Sequence, residues 1–297
     1  MGVRLREAGR FVSKSTDNAS LNIRQIADSS LSKRTIRYIV NRQNDDGGYA
    51  FAQGLESNAQ DTYYGLAILN LLSSPFPNVE RTVEWLFDFD LSSIYSYYYV
   101  GKALTLCNKH VGSHFGDFVG SAISSGRYFS SVDVYVEVSS EFESTLMLLE
   151  LASILKMRPD GEKAKTWLLR YRNKDGGFGA YGHSNINSTY YAVASLNLLK
   201  VDRRDLSDTV TFVRKCEQPY GGFTVIPRSA PPHMEHTYYG VMTLDLLGEN
   251  CGFPSQTIDF VLKCQRDNGG FARSDLGIST FENTFQAVGI MQRLVST

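Results

Sequence analysis

"QPYGGFTVIPRSAPPHMEHTYYGVMTLDLL", residues 218–247, decides the fold, because both of its ends recur elsewhere in the chain. It joins a Gly-Gly-aromatic turn to a helix that opens on Thr-Tyr-Tyr. The turn returns as "NDDGGYAF" at Gly47-Gly48, "NKDGGFGA" at Gly176-Gly177 and "RDNGGFAR" at Gly269-Gly270. The helix start returns as "DTYYGLAILNLL", "STYYAVASLNLL" and "NTFQAVGIMQRL". Such self-similarity marks a repeat architecture. From Gly176 the turns follow after 45 and then 48 residues, whereas 129 residues separate Gly47 from Gly176, close to three such periods. Two worn units must lie between. "TVEWLFDFDLSSIYSYYYVGKALTL" has lost most of its turn, and "SSGRYFSSVDVYVEVSSEFESTLMLLELASIL" keeps one glycine, Gly126, before an aromatic. Six units are therefore predicted from about residue 31, with 1–30 as an N-terminal extension or helix and 1–297 as one domain.

Apolar residues stand at helical spacing on both sides of the first turn, as Ile36, Ile39 and Val40 before it and Leu66, Leu69 and Leu72 after it. Each unit is thus a helical hairpin whose apolar faces need neighbours. The glycine pair supplies backbone that other residues resist, and the aromatic after it plugs the gap between hairpins. The second helices are rich in small residues (Ala67, Ala192, Ala194, Gly240, Gly289), while the first carry charge, as in "LSKRTIRYIVNRQ". That asymmetry predicts inner and outer helices in a closed ring: an all-α (α/α)6 toroid.

Composition limits the partners. Thirty basic against 31 acidic residues give a net charge of -1, so nothing global draws the chain to nucleic acid or to an anionic membrane. "MGVRLREAGRFVSKSTDNASLNIRQ" interleaves charge with apolar residues, which predicts neither a signal peptide nor a membrane span, and a cytoplasmic location by default. Cys107, Cys216, Cys251 and Cys264 form no CxxC pair and read as reduced thiols. "GFGAYG" at Gly177 to Gly182 fits GxGxxG but follows a helix, so a dinucleotide site is excluded.

The Gly-Gly-aromatic turns and Thr-Tyr-Tyr starts resemble those of the alpha-alpha toroid shared by protein prenyltransferase beta subunits and terpene cyclases. The resemblance runs from about residue 31 to the end, and in size the chain is similar to the Rab-type beta subunits. It implies an isoprenoid diphosphate, or another apolar ligand, held in an aromatic-lined cavity. It also implies a zinc that activates an acceptor thiol, and a helical-repeat alpha subunit as partner. The family's Asp-x-Cys zinc pair falls on His233-Met234-Glu235, and its later histidine on Asn283. His and Glu also ligate zinc, so His233 and Glu235, with Glu282 or His236 as the third, are the expected metal ligands. The family's diphosphate-binding positions lead to Arg228, His183, His236 and Arg273, since a diphosphate needs several donors.

The aromatics at matching helix starts are Tyr63, Tyr64, Tyr97, Tyr98, Tyr190, Tyr191, Tyr238, Tyr239 and Phe285. Tyr63, Tyr190 and Tyr238 are the expected ligand wall. Two readings stand beside the transferase. A toroid that binds lipid or protein without a metal is one, because Glu235 also suits the positive end of a helix dipole and aromatics at this spacing also serve packing. A terpene cyclase is the other, with its acidic motif on "DFDLSS" at Asp88 to Ser93, where Leu91 stands in place of the key carboxylate.

Overall fold

The aromatic of each Gly-Gly turn is tied to the helix that follows by the threonine of Thr-Tyr-Tyr. The backbone N–H of Tyr49, Phe178, Phe223 and Phe271 donates to Oγ1 of Thr62, Thr189, Thr237 and Thr284 at 3.0, 3.0, 3.0 and 2.9 Å. These bonds are buried, so the turn and the second helix form one piece.

The computed structural model describes residues 30–124, 138–157 and 161–295. Among them are six helical hairpins. The first helices are α1 (Ser30–Val40), α3 (Val79–Asp88), α5 (Ser113–Ser124), α7 (Gly161–Arg170), α9 (Ser207–Cys216) and α11 (Pro254–Lys263). The second are α2 (Ala59–Leu71), α4 (Ile94–Leu106), α6 (Val138–Ile154), α8 (Ile186–Leu198), α10 (Met234–Leu247) and α12 (Phe281–Val295). Gly126 and the stretch before residue 30 lie outside the described residues.

Each second helix packs on the next, from α2 round to α12, and α12 packs back on α2. The ring is closed. Burial follows from position: α1 buries Ser32, Thr35, Tyr38 and Ile39 along one face. Inner α2 buries Ala59, Thr62, Tyr63 and the whole run Gly65 to Leu69, so its apolar character extends all round.

The first glycine of each pair sets the spacing between units. Gly47, Gly176, Gly221 and Gly269 have φ of +93°, +87°, +103° and +94°, conformations that L side chains rarely adopt. An added Cβ on Gly47 would stand 2.6 Å from the carbonyl carbon of Arg81, on the next outer helix. Thr82 and Thr209 of the following outer helices donate to the carbonyls of Gly47 and Gly176, both at 2.7 Å. The last unit repeats the contact on the first, where Thr35 donates to Gly269 O at 2.9 Å. One local rule, applied at the four Gly-Gly turns, spaces the units and joins the last to the first.

The second unit lacks this turn, and Ser93 begins its inner helix instead with a reciprocal cap involving Ser96. Its register differs by one residue from the sequence expectation. Tyr98 and Tyr99, not Tyr97 and Tyr98, take the places of Tyr63 and Tyr64. Tyr97 sits at the threonine position and stacks on Phe118 of α5, ring centroids 3.9 Å apart.

Thr237→Val tests the turn lock. It keeps the shape but leaves the buried Phe223 N–H without its acceptor, which is expected to cost about 2 kcal/mol in urea unfolding. An unchanged midpoint would show the bond to be dispensable.

Candidate functional site

Five inner helices each bring one ring to the centre of the toroid. Tyr98, Tyr63, Phe285, Tyr238 and Tyr190 form an arc, with successive centroids 6.4, 6.2, 5.8 and 6.0 Å apart. The expected wall residues Tyr63, Tyr190 and Tyr238 thus lie side by side on the lumen. Tyr64, Tyr99, Tyr191 and Tyr239 add to it, and the whole encloses a cavity of about 180 Å³. The sixth inner helix, α6, contributes Leu146 and Met147 together with two carboxylates, Glu143 and Glu150.

The aromatic-lined cavity also holds charge. Lys102 of α4 pairs with Glu150 across the cavity, Nζ to Oε2 at 2.6 Å, and Tyr98 Oη donates to the same oxygen at 2.7 Å. The ammonium lies 5.4 and 5.7 Å from the ring centroids of Tyr98 and Tyr63. Both charged side chains are about a quarter exposed, at 25% and 27%, and line the cavity. Higher in the lumen Tyr191 and Tyr95 donate to Glu143, each at 3.2 Å, and Tyr191 shares a 2.7 Å hydroxyl contact with Tyr239.

Burial alone would raise Glu150, but the attraction of Lys102 and the bonds from Lys102 and Tyr98 hold its carboxyl below the ordinary range. Lys102 moves the other way: burial opposes its charge, and Glu150 outweighs it and raises the pKa. Burial raises Glu143, while the bonds from Tyr191 and Tyr95 restrain it. At the first turn of α12, burial and then the nearby charges of Glu143, Glu235 and Asp61 push Glu282 up to about 7.

The start of α10 carries the second cluster. His233 is its N-cap residue and makes no capping bond, whereas Asn58 and Asn185 cap α2 and α8 at the matching place. A missing cap costs about 1 kcal/mol, so the histidine is not there for the helix. Ligand atoms of His233, Glu235 and His236 lie within 4.8 Å of one another. Nδ1 of each histidine is buried without a hydrogen-bond partner among the described residues. Burial first, then nearby Arg273, lowers His233. Burial is also the largest cause that lowers His236, and in both imidazoles it favours the neutral form that can ligate. Two neutral histidines and a carboxylate fit a divalent ion with an open position. Glu282 is not in this group, where His236 is the third member. Its carboxylate instead accepts from Gln286 at 3.3 Å.

Two of the expected diphosphate residues, Arg273 and His236, meet at Glu235. Arg273 donates to Glu235 Oε1 at 2.7 Å, and His236 Nε2 is 3.3 Å from the same oxygen. Arg228 and His183 are exposed in their loops. Asp88 and Asp90 are also exposed, at and just after the end of α3, and do not line the lumen, which removes the cyclase motif from the candidate site. Lys102, Glu143 and Glu150 were missed from sequence. For Lys102 and Glu150 the signal was a lone charge in an apolar stretch of an inner helix, "YVGKALTL" and "MLLELASI".

The sequence model of the prenyltransferase alpha-alpha toroid domain matches residues 15–96 and 142–296. The chain belongs to this family. Lys102 lies between the two matched stretches, and Glu143 and Glu150 lie within the second. Among solved structures the chain is similar to the type II terpene cyclase MstE from Scytonema in complex with merosterolic acid A, its product. The TM-score is 0.58 and the identity 12%, over 93% of this chain and 98% of that one. MstE with its substrate geranylgeranyl dihydroxybenzoate gives 0.56 and 12%, over 93% and 98%. Candida albicans protein geranylgeranyltransferase-I complexed with GGPP gives 0.47 and 16%, over 92% and 82%. No curated protein sequence matches significantly. None of the toroid's described helices is long and apolar enough to cross a membrane.

Proposed function

We propose that the toroid binds a short isoprenoid-type ligand in its lumen and that His233, Glu235 and His236 hold a divalent metal, zinc by ligand type, beside it. The arc of Tyr98, Tyr63, Phe285, Tyr238 and Tyr190 carries this reading, since polarizable ring faces suit an unsaturated hydrocarbon. MstE holding a geranylgeranyl compound on the same fold supports it. Size limits the chain. An engineered apolar cavity of roughly 150 Å³ takes benzene, so the 180 Å³ here suits one or two isoprene units without rearrangement.

Bound at the rim, zinc would lower the pKa of a thiol or water in its open position. The chain's own groups would orient it: the helix start positions Glu235, and burial favours the neutral form of the two imidazoles. Prenyl transfer from a diphosphate needs a cationic seat as well. Arg273 is its nearest member, and it is engaged with Glu235. A non-catalytic isoprenoid carrier is the second reading, favoured by the engagement of Arg273 with Glu235.

Native mass spectrometry with geraniol, farnesol and their diphosphates tests the lumen. One ligand per chain is expected, with ten-carbon compounds retained better than fifteen-carbon ones; failure of all four sinks the reading. Elemental analysis should find zinc in the wild type and none in His233→Ala/Glu235→Ala. Equal metal content in both would remove zinc from this cluster.

A further inference from the structure

We infer that the Lys102–Glu150 pair is a hydroxyl-binding site, and that the ligand of the lumen is an isoprenoid alcohol that enters hydroxyl first. The inference rests on the lumen being an isoprenoid site and names the substrate class within it.

The pair is not needed to fill space. Apolar residues of similar volume generally replace a buried ion pair at no loss, or with a gain. A lumen built for hydrocarbon alone would have such residues. Here an ammonium and a carboxylate instead face a cavity walled by aromatics.

The bonding of the pair is incomplete in a specific way. Lys102 and Tyr98 both bond Oε2 of Glu150, and among the described residues none bonds Oε1. The ammonium has three donors, of which Glu150 takes one and the Tyr63 hydroxyl stands near a second, leaving a third for a ligand. A hydroxyl is both donor and acceptor. It can give its proton to Oε1 and accept from Nζ, and so completes the two ions without altering their charge. A diphosphate has no place beside them: it would add several negative charges next to Glu150 and Glu143, against one lysine already paired. A bare hydrocarbon would displace water from both ions and offer nothing in return.

Depth agrees with this order. Lys102 is one turn beyond Tyr98, and Glu150 two turns beyond Glu143, so the pair lies deeper along the inner helices than the first ring of aromatics. An alcohol entering from the helix starts would meet the rings with its chain and the pair with its oxygen.

Calorimetric titration with geraniol, with the ten-carbon hydrocarbon myrcene and with geranyl diphosphate tests this. Geraniol is expected to bind about tenfold or more tightly than myrcene, the gain from one charge-assisted hydrogen bond or two, and more tightly than the diphosphate. In Lys102→Met/Glu150→Met, with helical content checked by circular dichroism, that preference should vanish and myrcene should gain. Equal wild-type affinity for alcohol and hydrocarbon overturns the inference, as does tighter binding of the diphosphate or a preference that survives in the double variant. If that variant does not fold, the wild-type comparison alone decides. Myrcene binding as well as geraniol overturns the hydroxyl site but leaves the isoprenoid reading standing; no binding of any ligand overturns both.

Discussion

Gly269→Ala, at a buried turn, is expected to destabilise the protein by about 3 kcal/mol. Two penalties combine. The residue has φ +94°, which alanine resists, and its Cβ would stand 2.6 Å from the carbonyl carbon of Arg34. That contact joins the last turn to the first helix, so relief of the clash requires the ring to part where its ends meet. Gly54→Ala is the control. It has φ +82° but nothing within 4 Å of an added Cβ, and should lose only about 1 kcal/mol. Urea unfolding of the two variants separates backbone strain from close approach. Similar midpoints would mean that the seam is loose and that closure contributes little to stability.

The second large effect lies in the lumen. Lys102→Met and Glu150→Met should each cost about 3 kcal/mol or more, because each strands one charge in an aromatic cavity. The double variant should return to within about 1 kcal/mol of wild type. Additive losses in the cycle would show that the ions do not depend on each other. Their pH dependence follows from the two displaced pKa values. Glu150 lies below its ordinary 4.5 when folded, so its contribution is present above pH 4.5 and is lost as pH falls through the folded value. Lys102 lies above its ordinary 10.5, so its contribution is complete below pH 10.5 and is lost as pH rises through the folded value. Wild type should therefore keep this stabilisation across the whole neutral range. Lys102→Met should behave differently: burial then raises Glu150, and stability should increase on mild acidification. A Lys102→Met protein with a flat acid limb would count against the pairing.

Much of the ring was legible in one dimension. The Gly-Gly turns need φ values that only glycine adopts cheaply, and the threonine that binds each turn recurs in step with it, so local chemistry advertises the repeat. The slip at Tyr97 arose where that chemistry has been lost. Three consecutive tyrosines without a turn do not mark their own register, and the stack on Phe118 sets it. The metal-capable cluster was half legible. Alignment led to His233 and Glu235, but whether His236 or Glu282 joins them depends on side-chain direction across two helices, which spacing does not encode. The lumen charges were hardest to see. An inner helix is buried on nearly every side, so its periodicity does not separate the face toward the axis from the faces toward its neighbours. Lys102 therefore looked like any polar residue in a worn unit.

The third unit, whose inner helix is α6, has a consequence for what the toroid can recognise. Six identical hairpins would surround the axis with six equivalent walls, and a guest could rotate among them without preference. Here α6 contributes carboxylates where the other five inner helices contribute rings, so the cavity has one side unlike the rest. The axis of symmetry is lost, and a compass bearing replaces it. A guest with a polar end then has a single bearing to adopt, and one lapse in the repeat is enough to define it.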